Sequence, residues 1–126
     1  MAAIVYDTGA LLAAERRNPD LLALHDEMAS ARIRPLVPVV VLAQAWRGGP
    51  QHQISRLLKG CDILPDDQRT GRAAGVACAV SSTADVVDAI VMVTAIRHQA
   101  SVVTSDPGDL AHIADSIGVM IRLFPI

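Results

Sequence analysis

Aromatic side chains are nearly missing: Tyr6, Trp46 and Phe124 are the only three in 126 residues. This argues against a binding surface built on base stacking. Lysine is scarcer still, with Lys59 alone. The two cysteines, Cys61 and Cys78, are too few and too far apart for a zinc site or a disulfide framework. The longest uninterrupted apolar run, Leu36 to Ala43, has 8 residues and contains Pro38. A bilayer span needs roughly 20, so no transmembrane helix is expected. The amino terminus has no basic leader and no secretory apolar segment, because Asp7 interrupts its first apolar stretch. That predicts a cytoplasmic protein. The net charge of -2 is not that of a strongly basic nucleic-acid binder.

Apolar residues make up 52% and charged residues 19%, which excludes intrinsic disorder. The length predicts one domain over residues 1–126, burying roughly two thirds of its unfolded surface. The charges are more informative by type. Ten of the basic residues are Arg, which suits bidentate phosphate contact better than Lys. Eleven of the acids are Asp and two are Glu. Asp is a poor helix former and favours caps, turns and metal sites.

Short apolar stretches alternate with helical periodicity. Ala2 to Tyr6 reads as a buried strand and Thr8 to Arg17 as a helix. Asn18-Pro19-Asp20 is a break before a helix over Asp20 to Ala31. Leu36 to Val41 is apolar and largely β-branched, predicting a short strand that turns into a helix over Leu42 to Arg47. Gln51 to Lys59 is amphipathic; Cys61 to Leu64 is a brief strand; Pro65-Asp66-Asp67 opens a helix through about Val80. Ser82 to His98 is the longest periodic segment. A strand over Val102 to Thr104, a helix over Asp109 to Ile117 and a strand over Val119 to Leu123 complete the chain. This alternation predicts an α/β sandwich of three layers with a short, mainly parallel sheet covered on both faces. Ligands in such folds gather at the carboxyl ends of the strands, where the strand order reverses.

Most aspartates near that edge have ordinary structural roles open to them. Asp7 and Asp106 stand where helices begin, and Asp commonly caps helices. Asp109 would sit in a first helical turn, favourable for a negative charge. Asp85 follows Ser82 by three residues, matching a capping box. Asp88 fits none of these roles. It lies one turn into a helix whose later residues, Ala89 to Val93 with Ala95 and Ile96, are apolar nearly all round. A charge beside such a helix is costly unless paired or bound to a metal. No basic residue lies three or four positions away, and Asp85 adds repulsion. Asp7, Asp88 and Asp106 come from three elements that the α/β reading brings to one edge. Clustered carboxylates repel unless a cation neutralises them. Hard oxygens without His or Cys suit Mg²⁺ or Mn²⁺. From the residues alone, the reading ends at Mg²⁺-dependent phosphoryl chemistry.

The segments IVYDTGALLA (4–13), PVVVLAQAWRGG (38–49), ADVVDAIVMVTA (84–95) and VVTSDPGDL (102–110) together resemble a PIN-domain ribonuclease of the VapBC toxin type. The likeness spans nearly the whole chain. It rests on the order and spacing of motifs that are individually degenerate. It implies a parallel sheet with flanking helices, Mg²⁺ or Mn²⁺, and endonucleolytic cleavage of RNA, with tRNA or ribosomal RNA as the target class. It also implies a homodimer and a cognate antitoxin. By position, the family's first, third and fourth acids fall on Asp7, Asp88 and Asp106, implied to be both catalytic and metal-binding. The second acid, usually Glu, falls on Gln44. An amide keeps a carbonyl ligand but loses the charge and cannot act as a base. Asp85 or Asp109 would supply the missing charge. Thr8, Thr104 and Ser105 would orient the acids or contact substrate. Arg47 would reach phosphate, with Arg16, Arg17, Arg32 and Arg34 as a basic rim. The departure at Gln44 leaves open a PIN fold that binds RNA or a partner without cutting. Asp7-Thr8-Gly9 also matches the signature of an all-β aspartic protease, which the helical periodicity excludes. A phosphorylation receiver domain would need a lysine after a late strand, where Lys59 does not lie.

Overall fold

The computed structural model describes residues 3–126. Ala2, at the start of the expected first strand, lies outside them. The chain runs β1 (Ala3–Tyr6), α1 (Thr8–Glu15), α2 (Pro19–Ser30), β2 (Leu36–Pro38), α3 (Val39–Ala45) and α4 (His52–Leu58). It continues with β3 (Asp62–Leu64), α5 (Gln68–Ser81), α6 (Val86–His98), β4 (Ala100–Thr104), α7 (Pro107–Ile117) and β5 (Leu123–Pro125).

All strand pairs are parallel, and the sheet order is β3-β2-β1-β4-β5. β1 and β4 are adjacent, with Ala3 opposite Ala100 and Tyr6 opposite Val103. The strand order reverses between these two, so their carboxyl ends form the switch point of the sheet. A sheet covered on both faces needs strands that are apolar throughout, and Val5, Val102 and Val103 are fully buried. Helices α1 to α4 associate with one another, as do α5 to α7; α1 and α6 both pack on β1 and β4. One hydrophobic cluster unites Val5, Tyr6 and Leu11 with Val91, Met92, Leu110 and Ile113.

Several boundaries shift by one or two residues, and three depart further from the sequence expectation. Val39 to Val41, a β-branched run expected in a strand, forms the first turn of α3. Asp66, from the loop after β3, accepts a hydrogen bond from the Val40 amide at 3.0 Å and caps the helix from outside. Tertiary capping thus overrides local propensity. The long helix expected from Ser82 starts at Val86. Ser82 instead ends α5 in the left-handed region (φ 56°), and Asp85 is itself the N-cap of α6 rather than the second half of a capping box. The last strand is Leu123–Pro125, not Val119 to Leu123. After Gly118 ends α7 at φ 75°, residues 119–122 carry the chain to the β4 edge, where Leu123 meets Val102.

Candidate active site

Asp7 follows β1 directly. Its carboxylate caps α1, accepting from the Ala10 amide at 2.9 Å, and its own amide donates to the Val103 carbonyl at 3.2 Å. Asp7 is buried, and burial raises its carboxyl above the ordinary range. The neighbouring Thr104 hydroxyl and the Ala10 and Gly9 amides oppose that rise, while the charge of Asp106 adds to it. Thr104 is fully buried beside Asp7, and its hydroxyl accepts from the Asp106 amide at 2.9 Å. The ordinary capping role of Asp7 and its place among the acids are therefore both real.

Asp88 is the third residue of α6 and is half-buried. Asp85, the N-cap, accepts from the Asp88 amide at 3.0 Å. Burial is the largest cause pushing the Asp88 carboxyl up to about 7, followed by the charge of Asp85 and a carboxyl–carboxyl hydrogen bond with it. Asp7 and Asp109 push it further. Asp106 occupies the N-cap position of α7 but makes no side-chain cap, contrary to its ordinary role. The adjacent Asp106 carboxyl holds the Asp109 carboxyl above its usual range; the charge of Asp85 acts in the same direction and His112 opposes it.

The five acids thus form a circuit. Asp106 acts on Asp7, Asp7 on Asp88, Asp85 on Asp88 and Asp109, and Asp106 on Asp109. His112 is the one basic group that acts on it, opposing the rise of Asp109, and no basic side chain lies at ion-pair distance: the only ion pair among the described residues is Arg34–Asp62 at 2.7 Å. Among the described residues, no three Asp, Glu, His or Cys side chains surround one point as a formed metal site would. The donors are nevertheless those of a hard dication, all oxygen with no imidazole or thiolate. Unrelieved repulsion among carboxylates is what such an ion offsets.

The remaining candidates are placed as follows. Gln44, exposed on α3, accepts a hydrogen bond from the Thr8 hydroxyl at 2.5 Å through Oε1. It reaches the first residue of α1, next to Asp7. Ser105 and Asp109 are exposed at the same edge. Arg47 turns back on its own helix, donating to the carbonyls of Trp46 at 2.7 Å and Ala43 at 3.2 Å. The expected basic rim is not at this edge. Arg34 precedes β2 and bonds Asp62 and the Cys61 carbonyl, at the amino end of the sheet. Arg16 and Arg17 follow α1, whose 8 residues carry the chain roughly 12 Å from Asp7.

One residue escaped the sequence reading. Gly9 is the second residue of α1, and a Cβ there would stand 1.9 Å from the Ser105 Oγ. The available signal was a glycine inside a helix, where it is disfavoured, directly after Asp7-Thr8.

The sequence profile of the PIN domain matches residues 4–116. The chain belongs to the PIN-domain family. No curated protein sequence matches it. Among solved structures, it resembles a chain of VapBC2 from Rickettsia felis, bound to a DNA fragment from its promoter. The TM-score is 0.75 at 14% identity, covering 98% of each chain. FitAcB from Neisseria gonorrhoeae gives 0.67 at 16% identity over 96% of each chain. PAE2754 from Pyrobaculum aerophilum gives 0.67 at 13% identity, covering 98% of this chain and 83% of that one. At these identities the likeness establishes the PIN fold. Among the described residues no single helix is long and apolar enough to cross a membrane.

Proposed function

We propose that this PIN-domain protein is a Mg²⁺- or Mn²⁺-dependent endoribonuclease, the toxin of a toxin–antitoxin pair. The observation that carries the reading is the circuit of five aspartates at the switch point, with no basic side chain at ion-pair distance among the described residues. Asp7, Asp88 and Asp106 would hold the ion. A bound dication supplies an activated water and neutralises charge on a phosphodiester. The protein's own contribution is placement. The α1 cap and the Asp7 amide's bond to the Val103 carbonyl fix Asp7, the buried Thr104 hydroxyl holds the Asp106 amide, and the Asp85 cap fixes the first turn of α6 with Asp88. Gln44 and Thr8 lie beside Asp7 and would contact substrate, as would the free Ser105 edge. Asp85 or Asp109 offsets the charge that Gln44 lacks.

The substrate class in this reading is structured RNA, tRNA or ribosomal RNA. The likeness to chains of the two-component structures VapBC2 and FitAcB supports a cognate antitoxin. A homodimer and a cytoplasmic location belong to the same reading.

A second reading, a PIN fold that binds RNA or a partner without cutting it, is favoured by the neutral Gln44 whose oxygen is already engaged by Thr8. The two separate on incubation of the protein with total RNA and Mg²⁺, beside Asp7→Asn and Asp88→Asn controls. The nuclease reading expects cleavage products in the first sample alone. Three identical RNA profiles would leave the binding module.

A further inference from the structure

The geometry points to Gly9 as a positioning residue for the acids. This inference rests on the metal-dependent reading above, since what Gly9 positions is the proposed ion site.

Gly9 and Ser105 belong to different arms of the switch point, the first turn of α1 and the β4–α7 connection. A Cβ built on Gly9 would lie 1.9 Å from Oγ, 2.7 Å from Cβ and 3.1 Å from the backbone nitrogen of Ser105. The first overlap could be relieved by rotating the hydroxyl. The other two involve atoms that move only with the backbone. Ser105 stands between Thr104 and Asp106, whose amide donates to the Thr104 hydroxyl, and the same strand holds the Asp7 amide through the Val103 carbonyl. Any side chain at position 9 therefore pushes out the segment that carries Asp106, away from the turn that carries Asp7. The same turn holds the Asp7 carboxylate by the hydrogen bond from the Ala10 amide. The absent side chain permits the two arms to close, so that Asp106 comes within electrostatic reach of Asp7. A glycine lowers helix stability relative to alanine, and here nothing in the backbone angles demands it, because Gly9 is not among the residues at positive φ. Its use is the close approach.

The test is a double-mutant cycle on the full chain, read by calorimetric Mn²⁺ binding, with thermal unfolding of each metal-free protein beside it. Wild type, Gly9→Ala, Ser105→Gly and the double variant are compared. Gly9→Ala is expected to weaken Mn²⁺ by about 10-fold or more, the scale of a lost supporting contact. In the Ser105→Gly background the same substitution is expected to cost less, because the hydroxyl and the Cβ it strikes are gone and only the 3.1 Å approach to the backbone nitrogen remains. A purely structural role would lower the melting temperature without this background dependence. Wild-type uptake of Mn²⁺ with an equal uptake by Gly9→Ala, or an equal penalty in both backgrounds, overturns the assignment to Gly9 alone. Absence of uptake by the wild type overturns the metal site and Gly9's role together.

Discussion

Asp85 caps the Asp88 backbone amide at 3.0 Å and at the same time crowds the Asp88 carboxyl with its own. The cap that starts α6 is thus also a source of repulsion at the site. Helix initiation and charge accumulation are one feature here, because an N-cap and a third helical residue necessarily share a turn. The same crowding recurs at α7, where the Asp106 carboxyl raises that of Asp109, but there the side-chain cap is absent.

The crowding predicts an unusual pH dependence for the metal-free protein. The Asp88 carboxyl rises from 3.8 to about 7 on folding, chiefly through burial and Asp85. A raised carboxyl favours the folded state while it keeps its proton. Its contribution is fully present below about pH 4 and is lost as pH rises toward 7. Asp88→Asn has no proton to lose. It should match wild type in melting temperature near pH 4 and melt higher at pH 8 in chelator. Parallel melting curves for the two proteins at every pH would refute this account of Asp88.

Asp7 permits a separation of structural and chemical roles. Asparagine keeps the oxygen that accepts from the Ala10 amide but removes the charge. Asp7→Asn should therefore retain the wild-type fold by circular dichroism. It should lose RNA cleavage at least ~100-fold, beyond the range typical of groups that act only behind a ligand. Asp7→Ala should lose the cap as well, at about 1 kcal/mol of stability. If Asp7→Asn cleaves RNA at the wild-type rate, the carboxylate has no chemical role.

A third prediction tests the capping of α3 from outside. Asp66→Ala removes the acceptor for the Val40 amide and should cost about 1 kcal/mol, or about 4 °C in melting temperature for a chain of this size. Amide exchange should speed up at Val39 to Val41 more than in α6. An unchanged melting temperature would mean that Pro38 and packing suffice to start the helix.

These residues also show what was legible in the sequence. Asp7 and Asp106 could be placed because strand-to-helix junctions are marked locally, by AIVY before Asp7 and ASVVT before Ser105-Asp106-Pro107. Asp88 stood out because its apolar helix gave it no local partner. The start of α3 could not be read, since the group that caps Val40 lies 26 residues away. The start of α6 was misplaced because Ser82, a good capping residue by type, closes α5 with a left-handed backbone. Gly9 is marked in the sequence only as a glycine inside a helix; its reason is Ser105, from a distant element. Local chemistry is written locally; contacts made by the fold are not.

Gln44 makes the last prediction. Its oxygen accepts from Thr8, beside the first acid, and its amide brings no charge. Gln44→Glu keeps an acceptor for the Thr8 hydroxyl and adds one anion to a circuit that already holds five. Two effects of opposite sign follow. In chelator the added repulsion should lower the melting temperature at pH 8, because nothing basic at ion-pair distance relieves it. With Mn²⁺ the same charge becomes an attraction, and affinity should rise by about 10-fold, or ~1.4 kcal/mol. RNA cleavage at limiting Mn²⁺ should rise with it and converge on wild type at saturation, if the acid acts through ion binding alone. A variant that destabilises in chelator yet binds Mn²⁺ no more tightly would place position 44 outside the ion's reach. Gln44 would then serve only to link α3 to α1 through Thr8.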